Sequence, residues 1–554
     1  MDFDKALEKC GNYGPYQLVV LLLFGYTNFM SSLHYYSQTL ISFTPEHWCY
    51  HEQLENKTFS EIQEIYKNFS NPHCTLLEYT EDSFEKAEVG KCRKWFYKKE
   101  NGYETVTTEL NLVCDSTYKS AVSQSFYFLG AVVGTISFGV LADRIGRLPA
   151  ICLTTFAGGL GDFLSSFVYS VEMFAVTRFI SGLATDTFLM LMYILTFEYL
   201  RPQKRTFGIN IIAAIFYGTG LVLSPWFALW VKSWRYYLLI ASVPVLLFLL
   251  YPLLICESAS WLLTREKYDR AVKCLKRVAK FNGRQVEEKV FDEFVDYYKQ
   301  KALEEQKIKN SDTFWGMFRT PRLRKFTIIL LIKSIIVTMA FDIISRNVEG
   351  LGSSPFKLFS FTSVIYVPAG LTIIAFQNII GRKGMATTSL LGGSIITAVT
   401  GFLIAYSDPN SNSTLLAIMV GLGRYGAVVA YDAEVQYCTE IVPTSVRGRA
   451  VANIHVLGYG FSFLNSYVIY LGNYYKPLPT IFISIIMLIG AALCLCLPET
   501  LNQKLPETLS DGEKFGLDEK WYYFPCFSRR KEKLVKKSVE EKFGCTNNID
   551  ITAL

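Results

Sequence analysis

Charge is scarce in this chain. Asp, Glu, Lys and Arg make up 19% of its 554 residues, below the roughly 25% of ordinary soluble domains. Apolar residues reach 51% and aromatics 15%, and the mean hydropathy of +0.23 is too high for a soluble protein of this length. Other absences narrow what remains. The formal charge of +6 is mild and gives no electrostatic basis for a nucleic-acid partner. No metal-ligand spacing, nucleophile elbow or P-loop occurs, so hydrolysis, nucleotide binding and a bound cofactor have no support. A cleaved signal peptide is not expected either. Met1 to Pro15 is polar, and the first apolar run, Tyr16–Thr39, is longer than the about 7–15 residues of a signal core.

What is present is a series of apolar runs, each close to the roughly 20 residues that span a bilayer as helix. The first six are Tyr16–Thr39, Ala121–Leu141, Ala150–Val168, Phe174–Thr196, Phe207–Trp230 and Tyr236–Cys256. The second six are Phe326–Ile344, Leu358–Ile380, Met385–Tyr406, Leu415–Tyr437, Ala450–Leu471 and Leu478–Leu497. The expected class is an all-α integral membrane protein of twelve spanning helices. Its expected divisions are a short N-terminus (1–15), a first six-helix half (16–256), a polar inter-half segment (257–325), a second half (326–497) and a tail (498–554).

Charge sets the expected orientation. Arg144 and Arg147, then Arg201, Lys204 and Arg205, then Arg382 and Lys383, then Arg447 and Arg449 follow the even helices, whereas the links after helices 3 and 9 carry no Lys or Arg. The positive-inside rule then puts both termini in the cytoplasm. The sequons at Asn56, Asn68 and Asn412 all fall in segments this topology puts outside, as glycan acceptors must. So do Cys49, Cys74, Cys92 and Cys114, which cluster in a polar loop domain over 46–119. An even set of Cys there points to two disulfides, with all three pairings open.

The chain repeats itself. "GVLADRIGR" after helix 2 is echoed by "QNIIGRK" after helix 8, with Gly146 and Gly381 235 positions apart. Glu198 with Arg205 is echoed by Glu440 with Arg447, and Glu257 by Glu499, both at 242. Two parallel six-helix repeats place a substrate site near the midplane between them.

The segment Gly139–Arg147 resembles the loop motif of the major facilitator superfamily. Together with "ELNLVCDS", "ESASWLL", "TEIVPTSVRGR" and "LPETLNQKLPET", it is similar to the organic cation, anion and zwitterion transporters of solute carrier family 22. The resemblance runs from Tyr16 to Thr508. It implies the major facilitator fold and alternating access. It also implies a latch in which Asp143, Arg144, Arg147, Glu198, Arg205, Arg382, Glu440 and Arg447 hold the halves together on one side in one state. Arg144 and Arg147 are expected to pair with carboxylates such as Glu198. The departures concern substrate charge. Tyr366-Val-Pro368 stands where cation-handling relatives have E-x-P, and Val456 where a charged residue marks cation or anion carriers.

A charge inside a spanning helix costs about 2.5–3.5 kcal/mol on insertion scales, so each needs a partner or a wet cavity. The spans hold Asp162, Asp186, Asp342, Asp432 and Glu434 against Arg178, Lys333 and Arg424. Asp186 and Tyr193, seven residues apart, are expected on one helix face, a wall suited to an amine through ion pairing and cation–π contact. Phe341, Asp342, Tyr366, Tyr431 and Asp432 complete the expected substrate site, with Glu434 assigned to an interhelical pair. The expected function is non-enzymatic, plasma-membrane transport of small cationic or zwitterionic amines. The alternatives are an organic-anion or sugar-type carrier using Lys333 and Arg424, and a transporter-like receptor or scaffold. The terminal "ITAL" fits a PDZ-domain ligand, and "RRKEK" before it fits anionic lipid.

Overall fold

Helix follows helix along the chain in the computed structural model, which describes residues 2–11, 14–66, 73–80, 83–200, 202–307, 314–349, 351, 353–407, 412–503, 505–517, 519 and 523–525. The first half holds α1 (Pro15–Ile41), α2 (Thr117–Ile145), α3 (Arg147–Ser165) and α4, in two pieces (Val171–Gly182, Thr187–Tyr199). It ends with α5 (Pro202–Val231) and α6 (Trp234–Val245), the latter continued by tighter turns to Leu254. The second half holds α7 (Pro321–Arg346), α8 in two pieces (Pro355–Ser363, Tyr366–Ile380), α9 (Arg382–Tyr406) and α10 (Ser413–Ile441). Last come α11 (Arg447–Gly460, Asn465–Tyr470) and α12 (Leu478–Leu495).

Eleven of these are long and apolar enough to cross a membrane. The exception is α11, expected as one helix over Ala450–Leu471 but turned at Ser462–Leu464, so that neither piece spans alone.

The repeat is visible in how each half closes its third helix. Gly146 and Gly381 have φ of +113° and +91°, a region that L side chains avoid. Each hands the chain directly into a new helix whose first N–H groups need an acceptor. Glu257 accepts from Arg147 N at 2.9 Å and Leu148 N at 3.1 Å. Glu499 does the same for Arg382 N at 2.9 Å and Lys383 N at 3.2 Å. Burial pushes the Glu257 carboxyl up from its ordinary range, against the pull of these N–H donors.

A small domain caps one face of the bundle. Strands β1 (His47–Cys49) and β4 (Trp95–Tyr97) pair antiparallel, as do β2 (Thr75–Thr80) and β3 (Ser83–Lys91). Disulfides Cys49–Cys92 and Cys74–Cys114 select one of the three pairings open from sequence. Glu109 fastens the domain to the start of α6 by accepting from Trp234 Nε1 at 2.7 Å and from Arg235.

On the opposite face, the helix Tyr268–Phe281 buries Ala271, Leu275, Val278 and Ala279, a spacing that makes one apolar stripe. It packs with the N-terminal helix Phe3–Cys10, and Asn282 ties the two by accepting from Tyr16 N at 3.0 Å and donating to Gly11 O at 2.9 Å. Beyond α12, Glu513 accepts from Leu323 N at 2.8 Å and so caps α7.

The two halves touch on the capped side. Tyr35 Oη donates to Asp342 Oδ1 at 3.0 Å, Ser125 Oγ to Phe463 O at 3.0 Å, and Ser360 Oγ to Val222 O at 2.9 Å. Thr44 N donates to Glu349 at 3.3 Å, and Arg346 to Gln124. Aromatic rings from both halves, among them Tyr36, Phe128 and Phe359, fill the same seam. Every hydrogen bond described between the halves lies on this side.

Candidate substrate site

The site begins with a break in α4. Gly130 and Gly134 of α2 bring that helix so close to α4 that a Cβ on either would strike the carbonyls of Phe179 and Leu183. Past Gly182 the helix cannot continue in register, and Asp186 takes φ of +61°. Asp tolerates this left-handed conformation better than most residues. It starts the second piece of α4, yet its carboxylate caps no backbone N–H. One oxygen, Oδ2, is buried without a partner, and the Tyr459 hydroxyl of α11 lies beside the group.

The break lies before Asp186, so Asp186 and Tyr193 belong to the same second piece. The Tyr193 ring meets Phe24 and Phe197 at 6.3 and 6.2 Å.

The remaining intramembrane charges sort into spent and free. Asp162 accepts from Arg178 at 2.7 Å and from His34 Nδ1 at 2.9 Å. Lys333 pairs with Glu434, as an interhelical role for Glu434 requires, with its ammonium 4.3 Å from the Tyr437 ring centre. Asp342, expected on the substrate wall, has both oxygens occupied. Tyr35 donates to one, and Arg346 at 3.0 Å and Asn465 at 2.8 Å donate to the other. That sets Asp342 in the capped-side seam. Arg346 lies outside the expected span, which ends at Ile344; the helix runs two residues further, and Asp342 and Arg346 form an i,i+4 pair. His34, Asn465 and Tyr459 carried no periodic signal that marked them.

Asp432 is exposed and has no described hydrogen bond or ion pair. Its neighbour Tyr431 shares a 2.7 Å hydrogen bond with Tyr459 and lies 4.9 Å, ring to ring, from Phe341. Phe341 is 5.9 Å from Tyr366, which is 5.6 Å from Tyr217 of the first half. Phe341, Tyr366 and Tyr431 thus form one aromatic wall, with Asp186 at one end of it and Arg424 of α10 at the other.

The latch residues pair within their own halves. Arg147 binds Asp143 at 3.1 Å on its own turn, Arg144 is exposed, and Glu198 accepts from Ser258 Oγ at 2.7 Å, with no arginine donating to it among the described residues. In the second half, Arg382 pairs with Glu440 at 3.1 Å and Arg447 donates to Val442 O. The side chain of Arg205 lies outside the described residues, as do Asn68 and the terminal segment ending "ITAL".

Eleven helices long and apolar enough to cross a membrane and the broken α11, in two repeats about a charged and aromatic centre, define an alternating-access carrier of the major facilitator fold. The sequence profile described as "Sugar (and other) transporter" matches residues 22–510, and the chain belongs to that family. It is 26% identical to an organic cation transporter-like protein of Drosophila melanogaster, over 93% of each chain. It is also 26% identical to solute carrier family 22 member 7 of Mus musculus, over 93% of this chain and 98% of that one. A beta-alanine transporter of Drosophila melanogaster is 28% identical, over 93% and 90%. Among solved structures, the inward-open xylose transporter XylE of E. coli superimposes with a TM-score of 0.57 at 15% identity, over 90% of this chain and 99% of that one, which concerns the fold alone.

Proposed function

We propose that the carrier moves small organic amines, cationic or zwitterionic, across the plasma membrane, with Asp186 and Asp432 as the amine's partners. The observation that carries this reading is the sorting of charges. Asp162, Asp342 and Glu434 are neutralised by basic side chains, whereas Asp186 and Asp432 have none. An unpaired carboxylate in the membrane is costly, and a substrate ammonium relieves the cost on binding. Of the two basic residues an anion carrier would use, Lys333 and Arg424, the first is engaged by Glu434. The names of the relatives agree with an organic-ion substrate.

With both termini cytoplasmic, the capped face is extracellular and the halves part toward the cytoplasm, an inward-open arrangement. The exposed Asn56 suits a glycan on that outer face. The latch residues, paired within each half in this arrangement, exchange partners across the halves when the inner side closes.

Saturable uptake of charged, zwitterionic and neutral tracers by cells expressing the protein tests the reading. Asp186→Asn or Asp432→Asn should raise the KM for an amine about tenfold or more, the scale of a lost charged hydrogen bond, and leave a neutral tracer unmoved. Preference for organic anions that survives both substitutions would overturn it.

A further inference from the structure

A buried cation remains at the other end of the aromatic wall. Arg424 is 1% exposed. Its Nη1 donates to Thr362 Oγ1 at 2.8 Å and Ser363 Oγ at 3.0 Å, but Nε and Nη2 meet no acceptor. No carboxylate pairs with it among the described residues. The rings of Phe359, Tyr366 and Tyr36 surround its guanidinium carbon, with centres at 4.9, 5.7 and 5.8 Å. The hydroxyls of Tyr36 and Tyr366 adjoin each other beside it, with no carboxylate or carbonyl accepting from either.

Ring faces attract the guanidinium charge, which accounts for its burial only in part. They do not accept its N–H groups in good geometry, and a dry donor left without an acceptor is unfavourable. Two guanidinium nitrogens without an acceptor lie beside two phenol hydroxyls, each able to donate to an incoming oxygen. That is the complement of a carboxylate, whose two oxygens match the guanidinium fork.

Asp186 is the reverse case, since its Oδ2 is a buried acceptor without a matching cation. Tyr366, Phe341 and Tyr431 lie between the two, in ring steps of 5.9 and 4.9 Å. A substrate reaching both ends must carry its charges several bonds apart, which excludes an α-amino acid.

We propose that Arg424, Tyr36 and Tyr366 form a carboxylate subsite, so that the carrier selects zwitterions with a terminal amine and a distant carboxylate. The inference rests on the amine reading of Asp186. Tyr36 belongs to the first half and Arg424 and Tyr366 to the second, so a carboxylate held among them also strengthens the capped-side seam.

The test uses purified full-length protein with 6-aminohexanoate, its methyl ester and alanine as competing ligands. Wild type should bind 6-aminohexanoate at least about tenfold more tightly than the ester, the scale of one charged hydrogen-bonded contact, and more tightly than alanine. Arg424→Gln should erase the acid-over-ester ratio and leave ester affinity within about twofold. Tyr366→Phe, which keeps the ring, should shrink the ratio without erasing it, and serves if Arg424→Gln fails to accumulate. A ratio near one in wild type, or one that survives in folded Arg424→Gln, overturns the subsite. If wild type binds acid and ester equally while Asp186→Asn weakens both, the amine reading stands and the subsite alone falls. If wild type binds neither, both fall together.

Discussion

Gly146 illustrates how much one absent Cβ decides. At φ of +113° an L residue is strained by about 1–2 kcal/mol, and its Cβ would drive into the Glu257 carboxylate that caps α3. Displacing Glu257 also uncaps Arg147 N and Leu148 N. Gly146→Ala should therefore lower the melting temperature of the purified protein and its surface density, and Gly381→Ala should do the same through Glu499. Normal stability in both variants would mean that these turns relax at no cost. Asp143 is different in kind. It is an exposed partner of Arg147, and exposed pairs of this sort contribute little stability, so its proposed importance lies in the inward-closed state.

Among the elements, α4 holds the proposed amine partner Asp186 at an interruption. A regular helix would bury its backbone groups and leave Asp186 on a fixed face. The break turns Asp186 into the start of a second helix with its carboxylate uncommitted. Two requirements then separate at one position. Asp186→Asn retains tolerance for the left-handed backbone and removes only charge, so it should reach the surface and lose amine affinity. Asp186→Val, β-branched, is disfavoured at φ of +61° and should accumulate poorly, with reduced thermal stability by the same measurement. Equal abundance of the two would argue that the break is not held at this residue.

For the whole molecule, the hydrogen bonds described between the halves lie on the capped side, and alternating access requires them to part. Cysteines placed at Ser360 and Val222, whose hydroxyl and carbonyl are 2.9 Å apart, should be joined by a short bifunctional thiol reagent. The link should stop transport, and a reductant should restore it. Full transport by the linked protein would show that this seam does not open during the cycle. Holding the halves by a few hydrogen bonds and rings, without a continuous core, suits a two-state device, since small differences in binding shift its population.

The sequence alone determined what depends on spacing and local chemistry. Apolar run length defined twelve stretches, the fixed offsets of Gly146 with Gly381 and Glu257 with Glu499 exposed the repeat, and clustered Cys marked the cap domain. These follow from helix rise and turn geometry, which act along the chain. Which charges were free was not legible. Asp342 and Asp186 look alike as acids in apolar runs, and only the approach of Tyr35, Arg346 and Asn465 from three elements neutralises the first. Likewise the choice of Cys49–Cys92 over its alternatives, the pairing of Lys333 with Glu434, and the close approach of α2 beside the break in α4 all depend on distances between segments remote in sequence. A helical period reports the face a side chain occupies on its own helix. What meets that face is settled by packing, and in a membrane, where charge must be matched, that meeting decides which side chains remain for the substrate.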